Sequence, residues 1–111
     1  MTILHLKMKS TKEVTNMKYY IENITNHKGV TRTDDRYPNR IGSTVRFLHP
    51  IEKGSPMLFQ YIKYKHGVAI ADHITLTSRV NSFEWKNNKF YVTTNESIYI
   101  FKRLNNKEGE E

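Results

Sequence analysis

The chain has 111 residues, no cysteine and a formal net charge of +7, from 18 Lys and Arg against 11 Asp and Glu. A chain of this length forms one domain, and the absence of cysteine excludes disulfides, thiolate zinc sites and thiol catalysis. The positive charge favours a polyanion or an acidic protein surface as partner, and no apolar run reaches the roughly 18 residues of a membrane span, so a cytoplasmic protein is expected.

The two ends of the sequence differ from the part between them. Residues 1–16 show no sustained hydrophobic period, and the stretch from Met17 onward is typical of the start of a small protein. We therefore predict a poorly ordered extension and treat Met17 as a candidate start, with a first strand at Thr2–Leu6 as the alternative. Residues 105–111 are polar and end in glutamates, which predicts a disordered acidic tail. The single β domain is then residues 17–104.

The first predicted element is followed by a long basic segment. Lys18–Ile24 is predicted to be a short edge strand, which could pair across a homodimer. Thr25–Arg40 contains turn residues throughout and is predicted to be a long loop without a helix. Loops of this length in a compact domain are often functional. Its basic residues recur every four positions: Lys28, Arg32, Arg36 and Arg40.

The middle of the chain resumes a β pattern. Ile41–Leu48 is predicted to be a strand with Val45 and Phe47 directed inward, and after a connector with two prolines Met57–Lys65 is predicted to be the next strand. From Ile74 the chain is rich in aromatic and β-branched residues, which favours further strands.

The predicted long strand after Ile74 changes its apolar parity. Ile74, Leu76 and Val80 share one parity, whereas Phe83 and Trp85 have the other. A change of this kind moves side chains to the opposite face unless the strand bends or bulges, so a bend is expected.

Two asparagines then predict a tight hairpin. Asn87 and Asn88 tolerate positive φ and lie between apolar runs, so the arms are predicted as Arg79–Lys86 and Lys89–Thr94. The polar residues 93–97 are predicted to form one 3₁₀ turn before a last strand at Ile98–Phe101. The complete pattern of six or seven short strands favours an all-β fold, specifically a five- to six-stranded SH3-like or OB-like barrel with a long basic loop before the barrel core.

Enzymatic chemistry has little support in the sequence. The residues that could form a metal or acid–base site are His66, Asp72, His73, Asp34 and Asp35, and they match no known metal-binding, phosphate-loop or nucleophile motif. A non-enzymatic protein without cofactor or metal is therefore predicted. A metal-dependent nuclease that uses Asp34 and Asp35 is the enzymatic alternative.

Basic residues interleaved with aromatic residues provide the strongest functional pattern. Aromatic rings stack on bases and cations contact phosphates, as single-stranded nucleic acid binding requires. In the last strand Ile98 and Ile100 can fill the core while Tyr99 and Phe101 point outward, although the two aromatic residues could instead belong to the core. The predicted binding residues are Lys28, Arg32, Arg36, Arg40, Tyr61, Lys63, Lys65, Tyr99, Phe101 and Arg103.

Three short segments carry a resemblance to a group of proteins. They are G-x-x-V-x-F at Gly42–Phe47, L-T-S-R-V at Leu76–Val80 and T-x-N-x-S-I-Y at Thr93–Tyr99. These segments, within residues 42–103, resemble small uncharacterised β proteins encoded by phages and mobile elements of low-GC Gram-positive bacteria. The resemblance implies a setting in which small proteins bind DNA or inhibit host defence, as anti-CRISPR proteins do.

Two hypotheses follow. In the first, the domain binds nucleic acid or a nucleoprotein complex through its cationic loop and its aromatic and basic strands, with an affinity that falls with salt. In the second, it is an inhibitor that docks on a host protein through a few aromatic and arginine residues.

Overall fold

A computed structural model of the chain describes residues 17–63 and 74–104. In this part of the chain, six antiparallel strands form one closed sheet, in which every strand pairs with the next and the last returns to the first. This confirms the predicted all-β class. A helix of four residues, α1 (Tyr37–Arg40), lies between the first two strands. The strands are β1 (Lys18–Thr25), β2 (Thr44–Phe47), β3 (Pro56–Lys63), β4 (Ile74–Lys86), β5 (Lys89–Thr94) and β6 (Ile98–Leu104).

Several predictions made from the sequence concern residues that the structure does not describe. These are the N-terminal extension, the acidic tail, and the end of the strand predicted at Met57–Lys65 with the histidines beyond it. Within the described ranges, no helix is long and apolar enough to cross a membrane.

Aromatic side chains fill the inside of the closed sheet. Outside the register shifts of β1 and β4, alternate residues of the strands point inward, as the period of a β-strand requires, and Val45 and Phe47 of β2 are buried as predicted. The ring of Phe47 lies 4.8 Å from that of Tyr19 and 5.1 Å from that of Phe101, measured between centroids. The core therefore depends on interlocked rings in tilted and edge-to-face contact.

β1 is paired on both sides, so its prediction as an edge strand is wrong. It pairs with β6 along its whole length and with β2 at Tyr19 and Tyr20. Beyond β2, the backbone of Ile21 exchanges hydrogen bonds with Gly42 and Ser43, and the Arg32 N–H donates to the Ile24 carbonyl at 2.9 Å. The segment that follows β1 thus folds back along it and occupies the edge that a homodimer would have needed.

β4 bends where it changes partner. Its first half pairs with β3 and its second half with β5, and the register shifts between Val80 and Ser82. The bend was predicted, and in the first half of the strand the polar residues face inward. Thr75 and Thr77 are buried, whereas Ile74 and Leu76 are 46% and 65% exposed. A Thr hydroxyl can be buried here because it is hydrogen-bonded: that of Thr77 accepts from the Met57 N–H at 2.9 Å.

The β4–β5 hairpin has the predicted arms and turn. Lys86 pairs with Lys89 across Asn87 and Asn88, whose φ angles are 53° and 67°. Positive φ at both central residues defines the type I′ turn, whose twist matches that of the flanking strands.

The last strand has the second of the two orientations that its sequence left open, with its aromatic residues in the core. Tyr99 and Phe101 are buried, and Ile98 and Ile100 lie on the outer side, half-buried. The larger rings occupy the interior because a closed sheet of six strands leaves more space than isoleucine would fill. Residues 93–97 do not form the predicted 3₁₀ turn: β5 continues to Thr94 and a bend follows at residues 95 and 96, where the Thr94 hydroxyl accepts the Ser97 N–H at 3.0 Å.

Candidate nucleic-acid interface

Arg32, the central cation of the basic loop, is used in holding the fold together. Its guanidinium donates to the Glu96 carbonyl at 2.8 Å and to the Ser97 hydroxyl at 2.9 Å. It also forms an ion pair with Asp34 at 2.7 Å and lies 4.2 Å above the ring centroid of Tyr37. The hydrogen bond from Arg32 holds the pKa of the Asp34 carboxyl below its usual range. These contacts fasten the loop to the β5–β6 turn and leave few donors for a ligand.

Arg40 and the ring of Tyr37 form the second part of this attachment. Arg40 donates to the buried Tyr99 hydroxyl at 2.9 Å, and its guanidinium lies 5.1 Å from the ring centroid of Tyr37. Tyr37 is therefore in contact with two arginines, and its own hydroxyl donates to Glu96 at 3.4 Å. The prediction that Thr25–Arg40 contains no helix is wrong for its last four residues, and of the four basic positions only Arg40 lies in α1.

We predict that Arg32→Ala lowers the free energy of unfolding by about 1–2 kcal/mol, because two hydrogen bonds from a charged donor are lost. Urea unfolding measures the change. Arg36→Ala is the matched control, since it removes the same charge from an exposed position of the same loop and should change the stability by less than about 0.5 kcal/mol. Equal stability of the two variants would contradict a structural role for Arg32.

The remaining predicted residues are placed apart from one another. Lys28 and Arg36 are exposed on the loop, and Lys63 is exposed at the end of β3. Tyr61 is half-buried, with its hydroxyl 2.9 Å from that of Thr75. Lys65, with the candidate metal residues His66, Asp72 and His73, lies outside the described residues. Among the described ones, no group of three or more acidic or histidine side chains could hold a metal ion.

Burial changes the acidity of Tyr99. Desolvation in the core raises its pKa above the ordinary value of 10.0, and the nearby Arg40 only partly opposes this. Desolvation likewise raises the pKa of Tyr19. The folded-state pKa of each group lies above its unfolded value, so the stability that both contribute is complete below about pH 10 and is lost as the pH rises further.

The unfolding free energy is therefore expected to fall steeply above about pH 10, and Tyr99→Phe should make the fall shallower. Urea unfolding at pH values from 8 to 11 measures this. Tyr20→Phe, a change outside the core, serves as the control. An unchanged slope for Tyr99→Phe would contradict the role of its buried hydroxyl.

The chain also forms an open pocket at the end of the closed sheet that lies opposite the basic loop. It has a volume of about 290 Å³. We call it the aromatic pocket. Its lining residues are Tyr19, Phe47, Pro50, Ile51, Phe83, Trp85, Phe90 and Arg103.

The bend in β4 builds one wall of this pocket. Beyond the register shift, Phe83 and Trp85 share a parity and lean over Phe90 of β5. The Trp85 ring is stacked on that of Phe90, with 4.8 Å between centroids and 23° between planes. Trp85 nevertheless remains 50% exposed and Phe83 41% exposed, so an extended apolar surface faces solvent at the mouth of the sheet.

Arg103 provides the cation of this site. Its side chain has the inward parity of β6, opposite Tyr19, but it lies past the buried layer and is exposed. Its guanidinium carbon is 5.8 Å from the ring centroid of Trp85, within the range of a cation–π contact. The pocket thus combines flat π-faces with a positive charge, which is the chemistry that a nucleobase and its phosphate require.

Of the residues predicted to bind, only Arg103 belongs to the aromatic pocket. Trp85, Phe83, Phe90 and Tyr19 were not assigned to a site from the sequence. The parity change before the hairpin was the available signal, because it gives Phe83 and Trp85 the opposite parity from Val80, which lies in the core. No protein-family model, curated protein or solved structure matches this chain.

Proposed function

We propose that this protein is a non-enzymatic, single-strand-selective nucleic-acid-binding protein, and that the aromatic pocket receives a base. The observation that carries the proposal is the half-exposed Trp85, stacked on Phe90 and flanked by Arg103. An aromatic ring that is supported from behind and open in front offers a rigid stacking surface at little entropic cost.

Stacking in the pocket needs an accessible base face. Bases within a duplex are stacked on one another, so a duplex presents no face to Trp85. Single-stranded segments, loops and ends do present one, and stacking is tolerant of base identity because every base has a π-face. The expected ligand is therefore a single strand bound with modest sequence preference.

The pocket contains the only tryptophan of the chain, so its fluorescence reports on occupancy directly. The test titrates the protein with labelled oligo-dT, oligo-rU and a matched duplex across about 50–200 mM salt, following both label anisotropy and tryptophan emission. The proposal predicts quenching of Trp85 on single strands and weaker binding of the duplex. Binding that disappears at the upper salt concentration without any tryptophan response would overturn it.

A second candidate function is docking on a protein, as an inhibitor of the anti-CRISPR type encoded by a phage. One observation favours it: the outer face of β3 and β4 carries exposed apolar residues, with Leu76 at 65%, Ile74 at 46% and Ile62 at 43%. Exposed apolar patches mark interaction sites in soluble proteins. Capture of a host protein that is lost in Leu76→Ser and retained in Trp85→Ala would favour this candidate over the first.

The order of the strands bears on the type of fold. Each strand pairs with its sequence neighbours, and β6 closes onto β1. A Greek-key arrangement such as the OB-fold requires pairing between non-consecutive strands. Sequential pairing therefore supports the SH3-like alternative, extended by one strand.

A further inference from the structure

Three lysines occupy directly opposed positions on neighbouring strands outside the aromatic pocket. Lys86 of β4 pairs with Lys89 of β5, and Lys89 pairs with Lys102 of β6. Lys102 then pairs with Tyr20 of β1, which is 38% exposed. We call Lys86, Lys89, Lys102 and Tyr20 the lysine row. With strands about 4.8 Å apart, its members extend over about 14 Å.

This arrangement of like charges destabilises the protein when no ligand is bound. Like charges directly opposite one another on a sheet are destabilising, and here two such pairs are adjacent. One acidic side chain partly neutralises the charge of the middle lysine. Glu22 forms an ion pair with Lys89 at 2.7 Å, which raises the pKa of Lys89. Glu84 precedes Lys86 by two positions on β4. Positive charge concentrated in this way favours an anionic ligand across the row.

Residues of the lysine row are adjacent in the sequence to residues of the aromatic pocket. On each of three strands a pocket residue is next to a lysine: Trp85 precedes Lys86, Phe90 follows Lys89, and Arg103 follows Lys102. Successive side chains of a strand point to opposite faces. Trp85, Phe90 and Arg103 thus each have a lysine next to them on the outer face of the sheet.

We propose that the lysine row binds the phosphates of the same strand whose base enters the aromatic pocket, with Tyr20 as a second stacking surface at the end of the row. This inference rests on the proposed function and specifies the path of its ligand. The strand leaves the pocket at Arg103 and crosses the rim of the sheet to the outer faces of β4, β5, β6 and β1. The footprint is short, about four to six nucleotides, at the lower end of the site sizes of small β domains.

The experiment measures the salt dependence of oligo-dT binding for the intact chain and three variants, with Trp85 emission recorded in parallel. Removal of one phosphate contact from a single strand lowers the slope of log affinity against log salt by about 0.7. Lys102→Ala and Lys86→Ala should each show this decrease and retain the quenching of Trp85. Lys28→Ala, which removes an exposed lysine from the opposite end of the sheet, is the matched control and should leave the slope unchanged.

Glu22→Gln provides a test in the opposite direction. It frees Lys89 from its ion pair, so oligo-dT should bind roughly two- to fivefold more tightly at low salt, the range that corresponds to an exposed ion pair. Lys102→Ala should melt at the same temperature as the unmodified chain or higher, because it relieves repulsion. This keeps a folding defect from being mistaken for a lost contact.

The outcomes separate this inference from the proposed function. Quenching of Trp85 by oligo-dT with unchanged salt slopes in Lys102→Ala and Lys86→Ala would overturn the lysine row and leave base binding in the pocket intact. Binding of a poly-glutamate peptide at the row, with no response to oligo-dT, would overturn both. A length series from dT2 to dT10 whose affinity still rises beyond about six nucleotides would contradict the short footprint.

Discussion

Trp85→Ala is expected to weaken the binding of a single-stranded oligonucleotide by roughly 5- to 150-fold, which corresponds to the ~1–3 kcal/mol of one stacked base. The indole forms the open wall of the aromatic pocket and lies flat on Phe90. Its removal takes away the stacking surface and also the ring that Arg103 approaches. Fluorescence anisotropy of a labelled strand at constant salt measures the loss.

Two further variants identify the cause of that loss. Trp85→Phe retains a π-face in the same position, so it should recover most of the affinity. Leu76→Ala removes an even more exposed apolar side chain from the outer face of β4 and should bind as the unmodified chain does. If Trp85→Ala bound single strands as tightly as Leu76→Ala, the pocket could not be the site of base stacking. A half-exposed residue should not change the melting temperature much, and a thermal scan verifies this.

Local sequence signals were sufficient for much of the fold. The turn at Asn87 and Asn88 was predictable because few residues adopt positive φ without strain, and two in succession specify one type of hairpin. The inward positions of Val45 and Phe47 followed from the β period alone. The bend of β4 was predicted from its parity change, although of the residues that define the two parities only Val80 is buried.

The closure of the sheet could not be predicted from these local sequence signals. Whether β1 is an edge depends on its contact with β6, which lies some 75 residues away in the sequence and is decided by the shape of the closed sheet. The choice between the isoleucines and the aromatic residues of β6 depends on the volume to be filled. When both faces of a strand carry large apolar side chains, the two-residue period does not show which face points inward.

The candidate site shows the same limit. Basic residues that recur in a loop were predicted to bind a ligand, yet Arg32 and Arg40 satisfy buried or backbone acceptors on distant elements. Sequence spacing does not reveal which acceptors a folded chain brings to an arginine. The aromatic pocket in turn is assembled from β1, β2 and the connector after it, the hairpin and β6, and no single segment shows that these residues converge.

Phe101→Ala is expected to lower the free energy of unfolding by about 3–5 kcal/mol. Phe101 is completely buried and its ring lies 5.1 Å from Phe47 and 6.0 Å from Tyr99. Truncation leaves a cavity at the centre of the ring cluster that rigid neighbouring strands cannot close. Small domains have total stabilities of about 5–15 kcal/mol, so a large share would be lost. Urea unfolding at 25 °C measures it.

Two comparisons distinguish a core residue from a ligand contact. Ile100→Ala, on the outer side of the same strand, should cost less because its side chain is only half-buried. Phe101→Leu keeps most of the volume and should cost about 1–1.5 kcal/mol. In the folded fraction of Phe101→Leu, single-strand binding should equal that of the unmodified chain, whereas Trp85→Ala should lose binding without losing stability. Full stability of Phe101→Ala together with lost binding would reverse the assignment and make Phe101 a ligand contact.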